Sequence, residues 1–450
     1  MGGMSTSALP RRYFGTDGIR GRAGLHPMTA EFAFKVGVAA AESLAVSSPT
    51  FLIGMDTRRS GPMLAHALSA GLLSRGAHVL WAGVMPTPGV AYLTRELHAD
   101  AGIVVSASHN PFEDNGIKFF SREGEKLSDA LEADIEARLE AGVSLAPVSG
   151  SDVGSLVRYR FEENHYAKFL LANAPYLDGM RVGLDCANGA ASEIAPRLFT
   201  QLGARLDVIN AKPDGININV ESGSTHPETI QKRVLEHGLE VGITFDGDAD
   251  RALLVDRRGR LVSGDHMLAI LAVIRHERRV VATVMSNLGL ERYLETHGIE
   301  LLRSPVGDRY VCEKLKEHDL TLGGEQSGHV LMLDKAPTGD GILTALQTLA
   351  AVRKSGRTLE AWMDEIPSYP QILKSVCVSP ESKRRLSETD EVREAIREAE
   401  AALGSEGRVN VRPSGTESLI RIMVEGPDQA LVEALAQSIA QRVEAVDQRG

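Results

Sequence analysis

Long apolar runs are missing from this chain. No uninterrupted stretch approaches the ~20 residues that a membrane-crossing helix needs, which argues against a membrane partner. A secretion signal is missing too: Met1 to Pro10 is small and polar, lacks the charged-then-apolar pattern, and reads as a frayed leader. Cysteine is scarce. Cys186, Cys312 and Cys377 lie far apart and form no CxxC pair, so they read as buried thiols of a cytoplasmic protein rather than as a disulfide framework. Positive charge is not in excess: 49 Lys and Arg stand against 60 Asp and Glu, a net −11 with both signs mixed along the chain. That balance disfavours nucleic acid as a partner, while a few local arginines can still serve a small anion.

Several motifs are absent as well. Without G-x-x-x-x-G-K-[ST] a P-loop phosphoryl donor site is not expected, and without G-x-G-x-x-G after a strand neither is a dinucleotide. The G-x-S-x-G elbow of the α/β-hydrolases is missing. Scattered histidines such as His66, His78 and His165 lack metal-ligand spacing.

What remains is a chain of 450 residues, 43% of them hydrophobic, enough for about three domains at roughly 150 residues each. From Thr50 to Val105 short apolar runs (Phe51–Ile53, His78–Trp81, Ile103–Val105) alternate with segments of helical spacing (Met63–Arg75, closed by Gly76, and Pro88–Leu97). The unit returns as strand Val182–Leu184, helix Ser192–Leu202 closed by Gly203, and strand Leu206–Ile209. It returns again as Val280–Val284, Leu290–His297 closed by Gly298, and Glu300–Leu302. Strands alternating with helices imply mixed, mainly parallel sheets. The last 80 or so residues differ: strands near Ile372–Val378, Arg408–Val411 and Leu419–Val424, with helices near Ser387–Leu403 and Asp428–Val443. We therefore expect three similar α/β domains and a C-terminal α+β domain, bounded as 1–150, 151–256, 257–370 and 371–450. Linkers are expected near Val143–Ser155, Val255–Arg260 and Ile366–Pro370, where Gly, Pro, Ser or charges cluster.

Four segments carry chemistry. Asp246-Gly247-Asp248-Ala249-Asp250-Arg251 sets three carboxylates at alternate positions between apolar strands. They repel one another unless a cation sits among them, and oxygen ligands select a hard ion, Mg²⁺ or Ca²⁺. An EF-hand would need Gly and Glu where Arg251 and Arg257 stand. Ser106-Ala107-Ser108-His109-Asn110-Pro111 follows a strand directly, where open α/β sheets bind ligands. Either serine there is a candidate nucleophile with His109 to assist, although alone the segment also reads as a polar turn stopped by proline. Arg412-Pro413-Ser414-Gly415-Thr416-Glu417, with Arg421 beyond, offers hydroxyls, a turning backbone and forked cations to one phosphate. Gly323 to His329 presents Glu325 and Ser327 at alternate positions, an acceptor and a donor for sugar hydroxyls. A Gly-rich turn with one arginine, Gly15 to Gly21, adds a weaker signal. Together these suit phosphoryl chemistry on a hydroxyl-rich phosphorylated substrate held in a central cleft.

In combination the chain closely resembles the α-D-phosphohexomutase superfamily, within it the bacterial branch acting on glucosamine phosphates. The resemblance runs from about Arg12 to Val443. Arg12 to Gly21, the Ser108 loop, Asp114-Asn115-Gly116-Ile117-Lys118-Phe119-Phe120, the Asp246 loop, Gly324 to His329 and the Arg412 loop carry it, in that order. It implies four domains around one cleft and an isomerase interconverting glucosamine 6-phosphate and glucosamine 1-phosphate, on the route to UDP-N-acetylglucosamine and cell-wall precursors. It implies a phosphate on Ser108 rather than Ser106, completing the shell of one Mg²⁺ per chain with Asp246, Asp248 and Asp250. Lys118 and His329 match positions implicated in proton transfer, and Arg20 and Arg251 match positions near the transferring phosphate. Glu325 and Ser327 match the sugar-contacting pair, while Arg412, Ser414, Gly415, Thr416 and Arg421 match the phosphate site of the last domain. A sugar 1,6-bisphosphate is then the expected intermediate and activator. It must turn around, which suggests movement of the last domain about Ile366–Pro370. A phosphosugar is the expected partner, and a homodimer fits as well. Gln326 stands where relatives often have Asn, and Ser418 where Pro is common, so Gln326 bears on which sugar is preferred. The rival readings are a glucose or mannose phosphate mutase of the same superfamily, a metal-dependent sugar phosphatase, and a non-catalytic phosphosugar sensor.

Overall fold

Parallel strands that end in polar loops set the architecture. We describe a computed structural model covering residues 12–15, 17–143, 148–159, 165–379, 383, 389–414 and 418–448. Seven strands form the first sheet: β1 (Phe14–Gly15), β2 (Gly18–Arg22), β3 (Thr50–Met55), β4 (His78–Val84), β5 (Ala101–Val105), β6 (Asp114–Ser121) and β7 (Leu156–Arg158). Their order is β1-β2-β6-β5-β3-β4-β7. Strands β5, β3, β4 and β7 run parallel, and β6, β2 and β1 extend the sheet antiparallel. The second sheet, β12-β11-β10-β8-β9, is built from β8 (Arg181–Asp185), β9 (Arg205–Ile209), β10 (Val241–Phe245), β11 (Ala252–Asp256) and β12 (Leu261–Val262). Its centre is again parallel and one edge antiparallel. The third sheet, β14-β13-β15-β16, uses β13 (Arg279–Thr283), β14 (Glu300–Ser304), β15 (Leu322–Gly324) and β16 (Val330–Met332).

The helices follow from local chemistry. Helix Gly61–Leu73 lies between β3 and β4, and helix Ala191–Gln201 between β8 and β9. Just past them Gly76 (φ +75°) and Gly203 (φ +88°) turn the chain into a left-handed conformation that a Cβ would penalise. Thr29 caps helix Ala30–Ser43 by accepting from Phe32 N at 3.1 Å. Its buried face, with Phe32, Val36 and Ala40, joins Leu64, Leu68, Phe51 and Ile103 in one core.

The stretch from Val255 to Arg260, which reads as a linker in sequence, is instead the turn of the β11–β12 hairpin. Asp256 accepts from the backbone of Arg258 and Arg260 and pairs with the Arg260 guanidinium at 2.7 Å. Ser387, the expected start of one C-terminal helix, lies outside the described residues, as does Met1 to Pro10.

The chain divides into two compact units: Met1–Met285 with Leu301–Met363, and Ser286–Glu300 with Asp364–Gly450. The second contains an antiparallel sheet, β17-β19-β18, of β17 (Gln371–Cys377), β18 (Arg408–Pro413) and β19 (Leu419–Glu425). Helices Asp390–Leu403 and Gln429–Asp447 pack on it. Val392, Leu403, Ile420, Ile422, Val432 and Ile439 share its core. Among the described residues no helix is long and apolar enough to cross a membrane.

Candidate active site

The site starts where parallel strands stop. In β3 and β5 Met55 and Val105 are register partners, so Asp56 and Ser106 emerge side by side at the carboxyl end of the sheet. Ser106 Oγ donates to Asp56 Oδ2 at 2.6 Å and accepts from Ser108 N at 2.9 Å. Ser108 is 2% exposed, and its φ of +52° is a conformation that costs a non-glycine residue about 1–2 kcal/mol. Its Oγ donates to Asp246 Oδ2 at 2.6 Å and lies 3.2 Å from His109 Nδ1. Burial, then Arg251 and Arg20, lower the His109 pKa to about 4, so that ring stands neutral beside the serine.

Asp246, Asp248 and Asp250 follow β10, and one oxygen from each lies within 4.8 Å of the others, all buried. Asp248 Oδ1 and Asp250 Oδ1 have no hydrogen-bond partner. Burial, reinforced by Asp250 and Asp248, pushes the Asp246 pKa well above the usual carboxylate value. Orphaned oxygens and mutual repulsion in one oxygen-only cluster are the features that a hard divalent cation resolves. A Cβ on Gly247 would come 2.5 Å from the Ser108 carbonyl oxygen, and one on Gly189 2.3 Å from the Gly247 carbonyl oxygen. The nucleophile loop and the carboxylate loop therefore touch backbone to backbone.

Cations ring the cluster. Lys118, on β6, reaches Asp248 at 2.8 Å, Asp17 at 2.9 Å and Asp250 at 3.7 Å. Burial opposes its charge, but Asp17, Asp248 and Asp250 outweigh burial and hold its pKa above the usual lysine value. Lys126 pairs with Asp17 and with Asp308, each at 2.8 Å. His329 stands 3.6 Å from Asp250 and 3.7 Å from Asp308. Burial lowers its pKa, yet Asp250, Asp308 and Glu325 raise it to about 9. Lys118, Asp17, Lys126, Asp308, His329 and Asp250 thus form a closed ring of alternating charge. Arg20 binds Asp17 through Nη2, and its buried Nε has no hydrogen-bond partner. Arg251, also with an unbonded buried Nε, has that atom 3.8 Å from Asp250 Oδ1.

Glu325 and Ser327 adjoin this cluster. Ser327 Oγ donates to Glu325 Oε2 at 3.3 Å, and Gly307 N donates to Glu325 Oε1 at 3.1 Å. Ala252 N, just past the carboxylates, donates to the Gly328 carbonyl at 3.2 Å. Ser108, His109, Lys118, Asp246, Asp248, Asp250, Arg251, His329, Glu325, Ser327 and Arg20 all belong to the first compact unit.

Arg412 and Arg421 belong to the second unit, where β18 and β19 place them directly opposite each other. Burial and then Arg421 lower the Arg412 pKa. Like charges at paired strand positions repel, and an anion between them relieves that repulsion. Ser414 is buried and donates its N–H to the Leu419 carbonyl at 2.8 Å; Gly415 and Thr416 lie outside the described residues.

Sequence reasoning missed the residues that hold this site together. Asp17, Lys126 and Asp308 close the ring. Thr87 donates to Asp248 Oδ2 at 2.7 Å. Arg58 is 1% exposed and binds the Ser108 loop. The only sequence signal for Arg58 was its place just past a strand end, where ligand-side loops begin.

Four models of the phosphoglucomutase/phosphomannomutase family match in order: alpha/beta/alpha domain I over residues 11–145, domain II over 164–259, domain III over 263–369 and the C-terminal domain over 375–442. The phosphoglucosamine mutase of Deinococcus deserti is 53% identical over 437 residues, 97% of this chain and 98% of the relative. That of Deinococcus radiodurans is 52% identical over 436 residues, 96% of this chain and 98% of the relative. Among solved structures, a phosphoglucomutase/phosphomannomutase family protein from Burkholderia thailandensis shares the fold, with a TM-score of 0.78 at 24% identity over 96% of this chain and 97% of that one. With all four domain models in order and half the residues shared end to end with such relatives, this chain belongs to the phosphoglucomutase/phosphomannomutase family, in its phosphoglucosamine mutase branch.

Proposed function

We propose that this chain interconverts glucosamine 6-phosphate and glucosamine 1-phosphate through a phosphate carried on Ser108. One observation carries the reading: a buried serine hydroxyl lies 2.6 Å from a three-carboxylate cluster that is itself flanked by Lys118, His329 and Arg251, with Arg20 on the adjoining Asp17. The Deinococcus relatives named phosphoglucosamine mutase support the choice of sugar.

In the first half-reaction the bond from phosphorus to Ser108 Oγ breaks and one from phosphorus to the free sugar hydroxyl forms, giving a sugar 1,6-bisphosphate and a Ser108 hydroxyl, its departing oxygen having taken up a proton. The hydroxyl proton passes to a side chain of the site, a task we assign to Lys118 or His329 acting in its unprotonated form, since the carboxylates around them hold both cationic at rest. In the second half the other phosphate returns to Ser108 Oγ, which gives up its proton, and the sugar oxygen that phosphate leaves takes a proton back. Asp246, Asp248 and Asp250, with the Ser108 phosphate, would hold Mg²⁺, which when bound supplies charge against the oxygens of the group in transit. Arg20 and Arg251 add cationic hydrogen bonds to the same oxygens. Glu325 and Ser327 orient the sugar hydroxyls. Arg412, Ser414 and Arg421, together with Gly415 and Thr416, bind the phosphate that is not being transferred.

Ser108→Ala should lose at least about 10³-fold in kcat while glucosamine 6-phosphate still binds. Isomerisation and phosphopeptide mapping on the same preparations check this, and turnover surviving in the variant overturns the assignment. Ranking kcat/KM for glucosamine, glucose and mannose 6-phosphates tests the sugar; equal values would place the enzyme among the broader hexose mutases.

A further inference from the structure

The residues that hold Ser108 in place come from a different part of the sequence, and none of them touches sugar or metal in the scheme above. Arg58 has five N–H donors. Nε goes to Asp56 Oδ2 at 2.8 Å. Nη2 goes to the carbonyls of Ser108 and Asn110, both at 2.8 Å, and Nη1 to those of Asp114 at 3.1 Å and Pro111. A guanidinium that is 1% exposed therefore spends a single donor on a carboxylate and four on carbonyls of one short loop. Taking such a charge out of water is costly, and a plain surface loop has no need of it. From the other side Asn219 Nδ2 donates to the Ser108 carbonyl at 2.9 Å and to that of Asn110 at 3.1 Å. The Ser108 N–H is fixed on Ser106 Oγ at 2.9 Å, and Gly247 packs against the Ser108 carbonyl so closely that a Cβ would sit 2.5 Å from it. Both peptide groups flanking the side chain are pinned, at a residue whose φ is left-handed.

We infer that Arg58 and Asn219 are positioning residues for phosphoryl transfer, a two-sided clamp that fixes the direction of Ser108 Oγ and keeps a buried cation behind the loop that carries its phosphate. This rests on the reading of Ser108 as the phosphate carrier. In-line displacement requires the donor oxygen to stay aimed at the acceptor through both half-reactions, and a displacement of about 1 Å is enough to cost on the order of 100-fold in rate.

The test is steady-state isomerisation of glucosamine 6-phosphate by full-length protein, with folded fraction measured by circular dichroism and Ser108 phosphorylation by intact mass. Arg58→Lys keeps the charge but loses the fork. Asn219→Gly tolerates the left-handed φ of +60° and removes the carboxamide, whose Oδ1 has no hydrogen-bond partner, so the hydrogen bonds lost are those of Nδ2. We expect kcat per folded, phosphorylated molecule to fall about 100-fold in Arg58→Lys and about 10-fold in Asn219→Gly, with KM within about threefold of wild type. A residue serving stability alone would lower the midpoint of unfolding and leave kcat per folded molecule unchanged; that result overturns the clamp. If Arg58→Lys does not fold, Asn219→Gly decides, and turnover within about twofold of wild type overturns the proposal. Ser108→Ala, run alongside, separates the two levels. If it is inactive and wild type carries phosphate on Ser108, a negative result for the clamp residues falsifies only the clamp; if it remains active, the parent reading fails as well.

Discussion

At the scale of single residues, the site is an exercise in balancing buried charge. Asp246 is driven toward its protonated form by burial and by Asp250 and Asp248, whereas Asp250 is held well below the usual carboxylate range, against burial, by Lys118, His329 and Arg251. The cluster is thus most at odds with itself on the side facing Ser108. A divalent cation there relieves the conflict, so EDTA should abolish isomerisation and Mg²⁺ should restore it. Asp246→Asn should weaken Mg²⁺ activation by at least about tenfold while leaving the fold intact. Titrating activity with Mg²⁺ measures this, and full activity in metal-free buffer would remove the carboxylates from the mechanism. The chemistry of Ser108 and of the three aspartates was legible because each lies in a short segment whose residue types already conflict or converge. Arg58 and Asn219 were not, because their partner Ser108 is 50 and 111 positions away, and only the fold brings them together.

Among the elements, helix Gly264–Arg275 shows how local chemistry sets a pH response. Its cap, Ser263, is bonded reciprocally: Ser263 N donates to His266 Nδ1 at 3.2 Å, so that nitrogen must carry a lone pair. Burial, and then Arg260, lower the His266 pKa from 6.5 to about 4. As pH falls below 6.5 the unfolded chain takes up a proton that the folded chain refuses until about pH 4. The contribution is therefore complete above pH 6.5 and lost between pH 6.5 and 4, up to roughly 3 kcal/mol. His266→Gln keeps an acceptor at the third helical position and does not titrate, so its denaturant midpoint should fall less steeply across that window than wild type. Helices closed by Gly76 and Gly203 and strands such as β5 could be read from periodicity and stop signals. The antiparallel edge of the first sheet could not. Gly18–Arg22 and Asp114–Ser121 have no alternation that marks them; the first is a strand through its pairing with β1 and β6, the second through its pairing with β2 and β5.

For the molecule as a whole, a net charge of −11 coexists with an anionic substrate because cations are concentrated where they act. Lys118, Lys126, Arg20 and Arg251 gather in the first unit, and Arg412 opposite Arg421 in the second. The second unit has its own apolar core, so we expect calorimetry to resolve two unfolding transitions rather than one. Inorganic phosphate should raise the midpoint of the smaller transition by a few degrees through Arg412 and Arg421, and Arg421→Ala should remove that shift. A single transition unmoved by phosphate would count against both an independent core and an anion seat there.

The backbone-to-backbone contact of Gly189, Gly247 and Ser108 has a consequence for how such an enzyme can diverge. Side chains bordering the sugar can be exchanged for others, and substrate preference can drift with them. At Gly189 and Gly247 there is no side chain to exchange, only a gap too small for a methyl group. Mutational tolerance should therefore be lowest where the sequence looks least informative, and lineages that change substrate should keep these two glycines as fixed points.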